Sequence, residues 1–142
     1  MGTRRSGRYA LKETLVRTEQ DDVSVNVLII DDQHEVFFQL IRRLESAMKN
    51  GRGALMISAL IEELKQYTVI HFGTEELLMQ SYEYPLRDSH RVEHDKARAR
   101  LQEVGTEITA IEMLDELRDW IRRHIAKWDL MLGEYLNDRG ID

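Results

Sequence analysis

The feature that most constrains this chain is a histidine and a carboxylate four residues apart, His71 and Glu75, inside the apolar, helix-patterned stretch 67–79. Because an α-helix turns once every 3.6 residues, side chains at positions i and i+4 project from one face. A second pair with this spacing, His90 and His94, begins nineteen residues after His71. The spacing is typical of metal ligands, and it requires helices to hold them.

The two remaining histidines extend this pattern, because each predicted helix then carries at least one. His34 stands at the start of the first long apolar segment, and His124 lies in the last. A single histidine on an apolar helix face is more often a hydrogen-bonded core residue than a ligand. Five unpartnered imidazoles in one core, however, would cost on the order of 1–3 kcal/mol each. The joint pattern therefore favours a shared metal.

Composition limits the kind of site and the partners. Cysteine is absent from the 142 residues, so thiolate zinc sites, iron–sulfur clusters and disulfides are excluded and any metal must be held by nitrogen and oxygen. The net charge of -6, without a basic face in the body of the chain, argues against nucleic acid as a partner. No apolar run reaches the ~20 residues that span a bilayer, and no secretory signal is visible. We therefore expect no membrane association and a cytoplasmic location.

The chain divides into three parts. Residues 1–22 are polar and locally basic, and we interpret them as an N-terminal arm, either mobile or a cloning remnant. Residues 23–138 form the predicted helical domain, and 139–142 a C-terminal tail. Within the domain, residues 23–30 are rich in β-branched side chains and are expected to be extended and to pack across the bundle end.

Apolar residues at helical spacing then predict four helices. The first follows Asp31 and runs to Asn50, the second covers about 54–80, the third about 86–104, and the fourth starts at a capping box, Thr109 to Glu112, with Thr106 as a competing start. Glycines and the single proline, Pro85, fall between them. Short connections imply an all-α, antiparallel up-down-up-down four-helix bundle with an N-terminal arm. On the second helix, the predicted inner face comprises Leu55, Leu60, Ile61, Leu64, Tyr67, Ile70, His71, Leu78 and Met79.

Two carboxylates are further ligand candidates. Glu75 is fixed by its spacing from His71, whereas the neighbouring Glu76 is rotated by about 100° and expected to be solvated. Asp129 lies five residues after His124, an offset that points it roughly 140° away around an ideal helix. A single π turn between the two residues would bring Asp129 back into line. The residues alone leave its role as a ligand open.

Taken together, these motifs resemble the hemerythrin family, and in particular its bacterial members, over roughly residues 23–138. The resemblance rests on the following stretches: Asp32-Gln-His34; Tyr67…His71-Phe-Gly-Thr-Glu75-Glu…Met79; Tyr84-Pro; His90-Arg-Val-Glu-His94; and Trp120-Ile-Arg-Arg-His124…Asp129. It implies a non-haem di-iron centre with a bridging oxo or hydroxo group. One iron would be held by His90, His94 and His124, the other by His34 and His71, with Glu75 and Asp129 bridging both.

The same resemblance implies reversible dioxygen binding for transport, storage or sensing, not catalysis. Two roughly octahedral irons offer about twelve positions, and the ligands leave one open, on the iron with two histidines. Dioxygen would bind there end-on and be held as a hydroperoxide, in a pocket lined by Ile121 and Trp120. Leu132 stands where the family usually has a tyrosine, and the tryptophan common in the arm is absent.

Other functions compete with oxygen binding. His90 and His94 also match the H-x-x-E-H pattern of zinc peptidases, in which Glu93 would be the general base, but that reading leaves the other histidines unexplained. The E-x-x-H pairs of ferritin-like bundles are absent. The same di-iron bundle could instead serve as an oxygen- or peroxide-reducing enzyme or an iron store. A helical bundle with a purely structural role is a further alternative. A redox or delivery partner is unidentified, and the expected state is a monomer or small oligomer.

Overall fold

A computed structural model describes residues 24–104 and 107–142, with the backbone alone for residues 107–111. Over these ranges the regular secondary structure is entirely helical, and the first helix packs against the second and fourth. The predicted all-α four-helix bundle is therefore confirmed. Its elements are α1 (Leu28–Lys49), α2 (Ala54–Ser81), α3 (Arg87–Gln102), α4 (Glu107–His124), a π turn (Ile125–Asp129) and α5 (Leu130–Asn137).

Helix α1 begins earlier than its sequence indicates. Residues 28–30 are helical, so the extended conformation predicted for them is wrong. The carboxylate of Asp31 explains the early start, because it accepts hydrogen bonds from Val25 N at 2.8 Å and from Ser24 Oγ at 2.6 Å. These contacts reverse the chain just before the helix, and tertiary packing then overrides the β propensity of the segment.

The short segment 24–27 packs across the end of the bundle, as predicted. Val25 and Val27 are buried, and the side-chain amide of Asn137 donates to Asn26 O at 2.9 Å. Gly133 on α5 permits this contact, since a Cβ atom there would clash with the carbonyl oxygen of Val25. Residues 24–27 thus pack against α5, the last helix of the domain.

The buried face of α2 differs from the predicted one at two positions. Leu55 is 87% exposed and Ile70 is 55% exposed, so both predictions are wrong. The buried residues recur at intervals of three and four from Ile57, and on a regular helix Leu55 and Ile70 both lie on the side opposite this stripe. Thr68 and Phe72 are buried in their place. The buried face of α2 is Ile57, Leu60, Ile61, Leu64, Thr68, His71, Phe72, Glu75 and Met79.

The predicted helix boundaries agree with the structure to within two residues, apart from the start of α1, although the predicted cap of α4 is wrong. That helix begins at Glu107, so Thr109 lies inside it and is not its cap; Thr106 and Gly105 fall outside the described residues. Pro85 lies in the turn between α2 and α3, as expected. The predicted arm, residues 1–22, also falls outside the described residues. Across the described ranges, no helix is both long enough and apolar enough to cross a membrane.

Candidate metal centre

All seven predicted ligands converge in the middle of the bundle. The five imidazoles come from α1, α2, α3 and α4, and every one is buried. Glu75 and Asp129 have no exposed surface, although carboxylates are almost never fully buried without partners. The seven side chains are His34, His71, Glu75, His90, His94, His124 and Asp129.

A π turn brings Asp129 into this group. Helix α4 ends at His124, and residues Ile125–Asp129 adopt π-helical hydrogen bonding before α5 resumes the α-helix. The wider turn compensates for the five-residue offset, and His124 Nε2 lies 3.1 Å from Asp129 Oδ1. The predicted π turn is confirmed, and with it the orientation of Asp129 toward the centre.

The side chains form two groups, each with ligand atoms within 4.8 Å of one another. The first combines His90, His94 and His124 with both carboxylates, and the second combines His34 and His71 with the same two carboxylates. Glu75 and Asp129 therefore belong to both groups. The bundle places three imidazoles on one side of the carboxylate pair and two on the other.

Each carboxylate turns one oxygen to each group. Glu75 Oε1 lies 3.0 Å from His94 Nε2 and 3.3 Å from His90 Nε2, whereas Oε2 lies 3.4 Å from His71 Nε2 and 3.6 Å from His34 Nε2. Asp129 Oδ1 lies 3.0 Å from His90 Nε2, and Oδ2 lies 2.9 Å from His34 Nε2. This division is the geometry that a carboxylate needs to bridge two metal ions.

The spacing of the donor atoms suits metal ligation better than hydrogen bonding among the side chains. Within the described part of the chain, Glu75 Oε2, His34 Nε2 and both oxygens of Asp129 are buried without a hydrogen-bond partner, although they lie close together. Metal–ligand distances of about 2.1 Å at right angles place neighbouring ligand atoms about 3.0 Å apart, which is the spacing seen here. The residues could therefore hold metal at both groups.

The buried carboxylates also control the protonation of the imidazoles. Burial lowers the pKa of His34 and of His90, but the close carboxylates of Asp129 and Glu75 outweigh it and raise both pKa values to about 9. For His71 burial dominates and lowers the pKa to about 4. Burial would raise the pKa of Glu75 and of Asp129, yet the surrounding histidines hold both well below their usual range. Without metal, the centre therefore pairs two carboxylates with protonated histidines.

The outer nitrogen of His71 has a neutral partner. His71 Nδ1 lies 2.9 Å from the side-chain oxygen of Gln33, whose own amide donates to Thr74 Oγ1 at 3.0 Å. The hydroxyl of Thr74 donates to the carbonyl of Ile70. This chain fixes the His71 ring with Nε2 facing the centre. The sequence offered no periodic signal for Gln33, because the contact crosses from α1 to α2.

The outer nitrogen of His94 has a charged partner. Glu76 Oε2 lies 2.7 Å from His94 Nδ1 and 2.8 Å from Arg98 Nη2. Glu76 is only half-buried, but it is engaged on both sides, so its predicted solvated role is wrong. The rotation of about 100° that turns Glu76 away from the carboxylate face turns it toward α3. Burial raises the pKa of Glu76, and the bonds with His94 and Arg98 lower it by more.

Aromatic rings enclose the three-histidine group. Phe72 stacks on His94 with centroids 4.0 Å apart, and Trp120 stacks on His124 at 4.5 Å. Ile121, predicted with Trp120 to line an oxygen pocket, is buried in the core. Leu132 is fully buried as well, so an apolar side chain fills the position where the family usually has a tyrosine.

Glu93 does not take part in the centre. Its carboxylate pairs with Lys96 Nζ at 3.1 Å on the outer side of α3. A zinc peptidase would need this carboxylate beside the metal and its water. The peptidase alternative is therefore not supported by the geometry.

Fold and site together define a helical-bundle protein with a buried histidine–carboxylate metal centre. The family model described as hemerythrin HHE cation binding domain matches residues 25–136. The chain belongs to the hemerythrin family.

Individual relatives agree with this assignment. Bacteriohemerythrin from Pseudomonas aeruginosa is 33% identical over 115 residues, covering 78% of this chain and 74% of that protein. Bacteriohemerythrin from Methylococcus capsulatus is 32% identical over 127 residues, covering 82% and 92%. A crystal structure of a leucine-to-phenylalanine mutant of another protein superposes with a TM-score of 0.75 at 28% identity, covering 86% of this chain and 97% of that one.

Proposed function

We propose that this protein binds dioxygen reversibly at a carboxylate-bridged, non-haem di-iron centre with an oxo or hydroxo bridge. In this proposal one iron is held by His90, His94 and His124 and the other by His34 and His71. The observation that carries it is the division of each carboxylate, with one oxygen facing each histidine group. No single-metal site would need both oxygens of both residues turned in this way.

The unequal number of histidines gives the proposed oxygen site. With three imidazoles in one group and two in the other, the iron of His34 and His71 keeps an open position, where dioxygen would bind end-on. When bound, the two irons supply one electron each to the dioxygen. We further propose that Ile121 and Trp120 restrict access to this centre by water.

The surroundings of His71 favour a carrier over a peroxide-reducing enzyme. Its outer nitrogen meets the neutral amide of Gln33, and neither amide nor buried aliphatic side chains readily supply the protons that release of peroxide requires. The chain's contribution in this proposal is to hold the ligands and withhold protons. A di-iron redox enzyme or an iron store on the same bundle remains the alternative.

The deciding experiment is anaerobic reduction of the iron-loaded protein followed by exposure to air, with iron content and visible absorption recorded together. We expect two irons per chain and a charge-transfer band that appears with oxygen and disappears on its removal. Immediate oxidation without a stable oxygenated species would overturn the carrier proposal and favour a redox enzyme. Glu75→Ala should lose iron, whereas Glu93→Gln, which changes an outer carboxylate, should retain it.

The remaining expectations stay predictions. They are a cytoplasmic location, an unidentified redox or delivery partner, a monomer or small oligomer, and a functional unit of residues 23–138 flanked by an arm and a tail. Sedimentation would measure the oligomeric state. The iron content of a protein truncated before residue 23 would show whether residues 23–138 form the functional unit.

A further inference from the structure

We propose that Glu76 is a positioning residue that acts through His94 and makes the iron held by three histidines the more easily oxidised of the two. This inference rests on the proposed di-iron centre and goes beyond it, since it assigns unequal reduction potentials to the two irons. Its basis is the contacts made by the outer nitrogens of the ligand histidines.

Glu76 meets His94 at the atom that sets how His94 binds metal. The distance between Glu76 Oε2 and His94 Nδ1 is 2.7 Å, short enough for a charge-assisted hydrogen bond. Because a carboxylate oxygen only accepts, Nδ1 donates its proton to Glu76, and Nε2, which lies 3.0 Å from Glu75 Oε1, is the nitrogen that would bind metal. A carboxylate behind a metal-bound imidazole makes the ring a stronger electron donor.

The position of Glu76 is fixed from the solvent side. Arg98 Nη2 lies 2.8 Å from the same carboxylate oxygen, and Arg98 Nη1 lies 2.8 Å from Asp95 Oδ1. The guanidinium also sits over the ring of Phe72, 5.2 Å from its centroid, and Phe72 stacks on His94. A salt bridge and an aromatic stack thus hold the carboxylate and the imidazole in one geometry.

In the part of the chain that the structure describes, the outer nitrogens of the other ligand histidines meet no charged group. The outer nitrogen of His71 faces the neutral amide of Gln33 at 2.9 Å. Those of His34, His90 and His124 are buried without a hydrogen-bond partner in the described part of the chain. Among residues 24–104 and 107–142, a carboxylate thus meets the outer nitrogen of a ligand histidine on the three-histidine side alone, and Arg98 balances part of its charge.

This asymmetry has a redox consequence. A stronger donor stabilises the ferric state more than the ferrous state, so the reduction potential of the three-histidine iron is lowered relative to that of its neighbour. If dioxygen or another one-electron oxidant removed a single electron from the reduced centre, the iron that His90, His94 and His124 would hold would be oxidised first.

The test measures reduction potentials by spectroelectrochemistry on the iron-loaded full-length chain. Glu76→Gln keeps a hydrogen-bond acceptor but removes the charge, and we expect one of the two potentials to rise while iron content stays at the wild-type value. Glu76→Asp restores the charge and should return the potential toward wild type. Glu93→Gln makes the same change of charge at the adjacent position before His94 and should leave both potentials unchanged.

The mirror variant is Gln33→Glu, which places a carboxylate behind His71 instead. It should lower the reduction potential of the iron that His34 and His71 would hold. If Glu76→Gln fails to bind iron, this variant tests whether a carboxylate behind a ligand histidine lowers a reduction potential. Potentials of Glu76→Gln or Gln33→Glu that equal those of Glu93→Gln would overturn the inference while leaving the di-iron centre intact. A wild-type protein that takes up no iron would instead contradict the proposed function itself.

Discussion

Ile121 lies one turn before His124 and is 4% exposed, and it is the aliphatic side chain predicted to restrict access to the oxygen site. Ile121→Ala removes buried methyl groups, which costs roughly 2–5 kcal/mol of stability, and leaves a cavity beside the centre. We expect iron to remain bound but the oxygenated form to decay faster, because water then reaches the centre. The measurement is the decay rate of the charge-transfer band in air.

A matched control separates this effect from general loss of stability. Ile57 is equally buried, but it lies about 20 Å along α2 from His71. Ile57→Ala should lower the melting temperature by a similar amount without changing the decay rate. An unchanged rate in Ile121→Ala, or equal acceleration in both variants, would remove Ile121 from its proposed role.

The ligands and their outer partners differ in how visible they are from sequence. His71 and Glu75 are found by their spacing, because both lie on one helix and helical periodicity fixes their common face. Glu76 and Gln33 are not, because each meets its histidine across two helices, and that contact depends on relative helix rotation and side-chain rotamers. The family resemblance implies the ligand set, whereas the outer contacts depend on how the helices pack in three dimensions.

The π turn behaves as a single residue inserted into a continuous helix. Asp129 faces the centre together with His124 although the two are five residues apart, and Ile125, the neighbour of His124, is buried as well. A π turn absorbs one additional residue without rotating the helix that follows. The apolar pattern on both sides therefore continues in one register, which is why the turn could be predicted from an offset of five.

Deletion of Lys127, an exposed residue in this turn, should convert it to a regular α turn. His124 and Asp129 would then be four residues apart, on one face, and the buried face of α5 would keep its orientation. We expect the metal-free deletion variant to melt at or above the wild-type temperature, because α-helical hydrogen bonding replaces the wider turn. Thermal unfolding followed by circular dichroism measures this.

The comparison is a deletion in a helix without such a turn. Removing Glu62, an exposed residue of α2, should rotate half of that helix by about 100° and strongly destabilise the bundle. If deletion of Lys127 lowered the melting temperature as much as deletion of Glu62, the interpretation of the π turn as a single inserted residue would be wrong.

Element boundaries show the limit of local patterns. The end of α1, both ends of α2 and the break at Pro85 follow from apolar spacing and from glycine and proline. The start of α1 does not, because the bonds from Ser24 and Val25 to Asp31 outweigh the β-branched composition of the segment. The exposure of Leu55 and Ile70 does not follow from the sequence either, since α2 carries apolar residues on more than one side and composition alone does not show which side is buried.

At the scale of the whole molecule, the buried carboxylates of the metal-free centre are balanced by protonated histidines. Two carboxylates are buried in the core, and in the metal-free protein the raised pKa values of His34 and His90, about 9 each, keep two protons beside them at neutral pH. Metal ligation needs neutral imidazoles, so binding must release these protons. The pH dependence of stability should therefore have opposite signs in the two forms.

For the metal-free protein the sign follows from pKa values that are higher in the folded state than the 6.5 of a free histidine. Their contribution is fully present below about pH 6.5 and is lost as pH rises to about 9, on the order of 3 kcal/mol for each of His34 and His90. His71, whose pKa is lowered to about 4, acts below pH 6.5 and does not affect this interval.

We therefore expect the free energy of unfolding of the metal-free protein to fall between pH 6.5 and 9, and that of the iron-loaded protein to rise between pH 5 and 7. Below pH 6 protons compete for the imidazoles, and iron should be lost. Denaturant unfolding of both forms across this range, with iron content at each pH, measures the two slopes. A metal-free protein that grows more stable toward pH 9 would contradict the raised pKa values, whereas full iron retention at pH 4 would contradict ligation by these histidines.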